Sequence, residues 1–211
     1  MSPARRVLLL STGLDPGGAE IQVVALARSL AGRVGTTVQV VSLLPPGRLA
    51  ADLEEAGIVV QGLGMRRGRP DPRAVWRLRR IWRAFDPHIV HAHMIHANLL
   101  ARVTRTVAPC PALICTAHSA DEGGGWRTWA YRLTDRLSDR TVQVSRAGAA
   151  AYGARGLVDP RRLVHLPNGI PPRASRPAAD TPLGRGFHWV CVGRMSQELS
   201  LIHISEPTRP Y

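Results

Sequence analysis

Two histidines separated by one residue, His91 and His93, stand at the end of a short apolar run, and a third, His118, stands at the end of another. Near neutral pH an imidazole can donate or accept a hydrogen bond, move a proton or hold a metal. Gly17 and Gly18 follow a first apolar run and precede a stretch of helical period. A strand that passes into a helix through glycines leaves unpaired N–H groups and the positive end of a helix dipole facing one crevice, which suits a phosphate or carboxylate. Ser145 adds a hydroxyl at a further run's end. His-x-His at a strand end is also a pattern of metal-dependent hydrolases. Here no second paired histidine cluster and no strand-end aspartate of the expected kind follow. "HAHMIHANLLAR", which includes His96, continues instead into an amphipathic helix, and no metal site is expected.

The elements that must position these residues follow from the hydrophobic pattern. Short β-branched runs alternate with longer stretches of helical period, which implies crossover units on a parallel sheet. The pattern predicts strands over Arg6–Ser11, Thr37–Leu43, Ile58–Leu63, His88–Ala92, Ala112–Thr116, Thr141–Val144 and Leu163–Leu166. It predicts helices over Ala19–Ala31, Pro72–Phe85, Asn98–Val107 and Trp126–Leu137. The first would place Ile21, Val24, Ala25, Arg28 and Leu30 near one stripe, and the second Val75, Leu78, Ile81, Trp82 and Phe85. Gly32 and Gly35 stop the first helix, and Asp86-Pro87 stops the helix that precedes the fourth strand. In a doubly wound α/β sheet the loops at the carboxyl ends of the strands converge. Glycines, imidazoles and a hydroxyl from four separated segments therefore fall at one rim.

Composition bounds what this rim can belong to. The chain has 211 residues, 45% of them hydrophobic, enough for an ordinary buried core. Its net charge of +13 comes from 28 basic residues against 15 acidic ones, and every basic residue is Arg. Such a balance suits an anionic partner, and it equally suits translation from GC-rich DNA; no nucleic-acid partner is expected. Cys110, Cys115 and Cys191 are odd in number and form no C-x-x-C pair, so neither a disulfide framework nor a zinc ribbon is predicted. Val7–Leu10 is too short for a signal-peptide core, and no stretch approaches the ~20 apolar residues of a membrane span. The expected location is cytoplasmic. Residues 66–85 combine eight arginines with two tryptophans on an amphipathic period, which suits either a solvated outer helix or peripheral contact with an anionic membrane.

The order GGAE, VHAH, TAHS, VS, LPNGI and VCVGR, across residues 5 to 195, resembles the N-terminal half of a family 4 retaining glycosyltransferase of the GT-B fold. That resemblance implies a Rossmann-like doubly wound domain over 1–166, a linker over 167–186 and the first strand of a donor-binding domain over 187–198. It implies hexosyl transfer from a nucleotide-diphosphate sugar, as co-substrate rather than cofactor, to a saccharide, lipid or small-molecule acceptor. Gly17 and Gly18 would lie near the donor diphosphate and the acceptor, admitting those groups, making a tight turn of positive φ, or both. His118 resembles the family's histidine that meets the transferred sugar, where it would act in catalysis. Arg194 would belong to the second phosphate site. His93, Asn98 and Ser145 would line the acceptor side, with core or helix-capping roles open for His93 and Asn98; His91 reads as structural. The clamp Lys and the acidic pair of the family are missing, and no nucleophile is assigned. A binding module or a nucleotide-sugar epimerase on the same fold is the alternative. Residues 199–211, "LSLIHISEPTRPY", break the family pattern in mid-motif, and in codons they resemble a sequencing-library adapter. They read as a non-native tail, and the chain by itself is expected not to transfer sugar.

Overall fold

The computed structural model describes residues 5–121 and 125–169. They lie within a compact unit spanning Met1–Pro171. Arg194, most of the expected linker, the strand expected after it and the tail lie outside the described residues.

The chain alternates strands and helices: β1 (Arg5–Ser11), α1 (Gly18–Ala31), β2 (Thr36–Ser42), α2 (Ala50–Glu55), β3 (Val59–Gly62), α3 (Arg73–Phe85), β4 (Ile89–His93) and α4 (Ile95–Arg105). Then follow β5 (Ala112–Ala117), α5 (Trp126–Thr134), a 3₁₀ turn (Asp135–Leu137), β6 (Arg140–Gln143), α6 (Arg146–Ala154) and β7 (Leu163–His165). The strands form one sheet in the order β3-β2-β1-β4-β5-β6-β7, with every pairing parallel. This is the doubly wound, Rossmann-like α/β arrangement.

A parallel strand covered on both faces must be apolar on both, so its residues run on without alternation. β1 has this character. Leu8 and Leu10 face a core built with Leu78 and Trp82 of α3 and Ala97 and Ala101 of α4. Val7 and Leu9 face the opposite core, with Val23 and Ala27 of α1 and Leu53 of α2. A third cluster joins Ile95, Ala117, Tyr131 and Tyr152 under α4, α5 and α6.

The seven strands predicted between Arg6 and Leu166 all form, with ends shifted by a residue or two. The stripe expected on α1 does not hold: Val23, Val24 and Ala27 are its buried residues, and Ile21 is 52% exposed. Val23 and Ala27 are one turn apart, and packing against the β1–β2 face selects that row over the one through Ile21. On α3 the row Ala74, Leu78 and Trp82 is buried, with Ile81 and Phe85 packed beside it. Asp86 ends α3 in the left-handed region (φ 48) and is held there by Arg6, whose Nε donates to its carbonyl at 2.6 Å. Gly32 caps α1 with an ordinary helical φ of −71, and Gly35 supplies the positive φ of 75 that turns the chain into β2.

Candidate functional site

The register of the sheet brings the predicted residues together. Ser11 of β1 lies beside His93 of β4, His93 beside Thr116 of β5, and Thr116 beside Val142 of β6. Side chains in register on parallel strands share a face, so this row and His118, two residues beyond Thr116, point to the α1 side of the sheet. A cavity of about 360 Å³ opens there. Gln22, Leu26 and Ser29 of α1 form one wall, the imidazoles of His91, His93 and His118 the floor, and Pro167–Gly169 the far side. The first residues of the expected linker thus line the cavity.

The three imidazoles lie ring beside ring, and two of them share a hydrogen bond. The His91 and His93 ring centroids are 4.1 Å apart, and those of His93 and His118 are 5.4 Å apart. His93 Nδ1 lies 3.1 Å from His118 Nε2, so one of the two rings donates the shared proton. His91 Nε2 lies 2.7 Å from Thr116 Oγ1. Burial disfavours the charged form of all three rings. It holds His91 at about 4, helped by the neighbouring His118, and pushes His93 well below its ordinary range, with His91 and His118 adding to the effect. His118 is lowered by burial as well. All three shifts favour the neutral rings, which offer hydrogen bonds and ring dipoles in place of a formal charge. Among the described residues no group of three His, Cys, Asp or Glu side chains is placed to hold a metal ion.

The turn out of β4 is tight. Met94 has φ 71, a left-handed value that costs a side-chain-bearing residue about 1–3 kcal/mol. Its N–H donates to Thr116 O at 3.0 Å, and Asn98 Nδ2 donates to the same carbonyl, also at 3.0 Å. Asn98 Nδ2 also donates to Tyr131 Oη at 3.0 Å. Asn98 is therefore a fully buried strut between the end of β5 and α5, outside the cavity wall. It lies inside α4, which begins at Ile95, so it is no helix cap.

Ser145 caps α6, with its Oγ accepting from Gly148 N at 3.0 Å, and it is exposed at the rim outside the cavity lining. Gly17 is the N-cap of α1 with an extended backbone (φ −162), and Gly18 opens the helix. Neither has the positive φ that a tight glycine turn would need. A Cβ on Gly18 would meet nothing within 4 Å, so the bare backbone there faces open space. Both lie at the end of α1 and not in the cavity wall, which starts one turn later at Gln22. Packing demands a glycine at Gly47, where a Cβ would come 2.5 Å from Leu14 C and 2.6 Å from Asp15 N. The loop after β2 thereby presses on the loop after β1, and Leu49 N donates to Leu14 O at 2.9 Å.

Gln143, fully buried at the end of β6, donates from Nε2 to Ser119 O at 2.8 Å and ties down the chain just after His118. Neither Gln143 nor Thr116 stands out in the sequence, since a polar residue in an apolar strand run is the one available cue. Gln22 and Ser29 give no cue at all.

Residues 16–174 match the family model of Glycosyltransferase Family 4. The chain belongs to that family. No curated protein sequence matches it. Among solved structures it resembles Anabaena Alr3699/HepE in complex with UDP, with a TM-score of 0.64 and 19% identity over 78% of this chain and 44% of that one. The lipopolysaccharide outer core galactosyltransferase WaaB in its apo form has a TM-score of 0.59 and 15% identity, over 82% of this chain and 50% of that one. A putative UDP-N-acetylglucosamine 2-epimerase from Listeria monocytogenes is more distant, with a TM-score of 0.54 and 17% identity over 77% and 45%. At these identities the likeness carries the fold. The family 4 chain spans about half the length of these structures.

Proposed function

We propose that the chain is the acceptor-side half of a nucleotide-sugar-dependent glycosyltransferase, moving a hexose from a nucleotide-diphosphate donor to a saccharide, lipid or small-molecule acceptor. The observation that carries this reading is His118. It stands at the carboxyl end of β5 on the floor of the cavity, with Nε2 engaged by His93 and its other ring nitrogen left for a ligand. A neutral imidazole held in this way orients a sugar hydroxyl through one hydrogen bond, and its dipole favours charge developing nearby. Gly17 and Gly18, at the N-terminus of α1, would offer backbone N–H groups to a phosphate once the Glu20 carboxylate that lies against Gly17 swings aside. The donor is a substrate, and the reading calls for no separate cofactor and no metal. Arg194 would complete the phosphate site from the other half of the enzyme, so transfer is proposed for the two-domain enzyme and not for the 211-residue chain alone. The reading places the enzyme in the cytoplasm.

The test is a panel of nucleotide sugars incubated with the complete enzyme, with and without candidate acceptors. Acceptor-dependent release of nucleotide diphosphate and a glycosylated product is the expected result. An epimerised sugar nucleotide formed without any acceptor would place the chain with the 2-epimerases that share its fold and would overturn the reading.

A further inference from the structure

α5 carries an apolar ridge that the fold does not use. Trp126, Trp129 and Leu133 are 63%, 65% and 64% exposed. Their spacing of three and four places them within one narrow stripe of the helix. The core is served from the other side, where Tyr131 is buried against Tyr152. Large apolar side chains exposed singly are ordinary, but two tryptophans and a leucine on one stripe form a patch that calls for a partner.

The surroundings identify that partner. α5 contains no acidic residue; of the described acidic residues that flank it, Asp135 is buried against Arg162 and Asp121, though exposed, is paired with Arg155 at 3.2 Å. Arg127 stacks over Trp126 at 5.9 Å, and Arg132 and Arg136 are exposed on the same stretch. α3, α4 and α5 lie side by side over one sheet face, and α3 adds the exposed arginines Arg73, Arg80 and Arg83. Tryptophan is the residue of the membrane interface, since its ring is apolar while its N–H stays wet, and arginine supplies attraction to anionic headgroups.

We infer that α5 is a docking face for an anionic lipid bilayer, with Trp126, Trp129 and Leu133 as the inserted ridge. The arginine-rich helix within residues 66–85 contributes charge to this contact but little insertion. Its apolar row is spent on the core, where Trp82 is 1% exposed, and only Trp76, at 60%, is left outside. Two of its arginines are also committed, as Arg79 Nε and Arg83 Nη2 donate to Val107 O at 3.1 and 3.4 Å. The docking face stands independently of the transferase reading.

The test uses the 211-residue chain with vesicles of phosphatidylcholine alone and of phosphatidylcholine mixed with phosphatidylglycerol. Co-sedimentation with the anionic vesicles is expected, weakened in about 0.5 M salt. W126S/W129S should lower the partition coefficient by about tenfold or more, while W76S changes it by less than about twofold. Tryptophan emission of the wild type should shift to the blue and be quenched by brominated lipid, a readout that stands even if a variant fails to fold. Three results would each overturn the proposal: no binding to anionic vesicles, binding unaffected in a folded W126S/W129S, or a wild-type dimer in sedimentation that this variant abolishes.

Discussion

Acidification tests the histidine cluster directly. His91 is held at about 4 in the folded chain against an ordinary 6.5. Below 6.5 the unfolded chain therefore binds a proton that the folded chain refuses, and stability rises with pH wherever the unfolded state holds more protons. The sign follows: stability is intact above 6.5, falls as the pH drops through that value, and stops falling once the pH is below about 4. The full His91 contribution is about 3 kcal/mol, and about 2 kcal/mol of it is lost between pH 7 and pH 5. His93 and His118 are lowered by the same burial and add to the loss in the same direction. Urea unfolding followed by tryptophan fluorescence at a series of pH values measures it, with Trp82 buried in the core as a reporter. His91→Gln should remove the His91 share, so the variant loses about 2 kcal/mol less than the wild type over that interval. A wild-type stability that stays level between pH 7 and pH 5, or a His91→Gln variant with an unchanged slope, would refute the idea that burial keeps these rings neutral.

Other perturbations separate chemistry from scaffolding. In the complete enzyme His118→Ala should lower kcat by about a hundredfold or more with a smaller change in KM and an unchanged melting temperature; unchanged turnover in a folded variant would make His118 structural. Asn98→Ala removes two buried hydrogen bonds at 3.0 Å each and leaves a small void, and should cost about 2–3 kcal/mol in urea unfolding. Gly47→Ala forces a Cβ into the backbone of Leu14 and Asp15, and should cost about 1–3 kcal/mol, with faster amide exchange in the loop after β1. An Asn98→Ala or Gly47→Ala variant as stable as the wild type would show that the corresponding contact is not tight in solution.

The strands were legible because buried parallel strands write themselves as short apolar runs, and the histidines were legible because each run's end marks the rim of the sheet. α6 was not, since "RAGAAAYGA" is built of small residues without an apolar period. α2 has six residues, too few for a period to show. α5 was expected to run to Leu137, but its last turn tightens into a 3₁₀ turn where Asp135 is drawn inward to Arg162 and to the N–H of Asp159. Pairings across the sheet leave no local trace, so the bonds from His93 to His118 and from Gln143 to Ser119 became visible only with the register. Asn98 shows the converse. Its type and place left a site, a cap and a core role open, and only its neighbours in space single out the core role, as a strut.

The seam between β1 and β4 has a consequence for the order of assembly. Arg6 N donates to His88 Nδ1 at 3.0 Å across 82 positions of chain, and the strands then zip from Val7–Ile89 to Ser11–His93. Closing a loop of that length costs about 4 kcal/mol in chain entropy from its length dependence alone. β1–β3 with α1 and α2 can form as one block and β4–β7 as another, each from nearby sequence. The crevice between the Gln22–Ser29 side of α1 and the imidazoles belongs to neither block. It comes into being only when the seam closes, and a brief parting of β1 from β4 would erase it while both blocks stay folded. A ligand that bridges the crevice therefore acts as a clasp on the seam, slowing amide exchange in β1 and β4 more than at the outer strands.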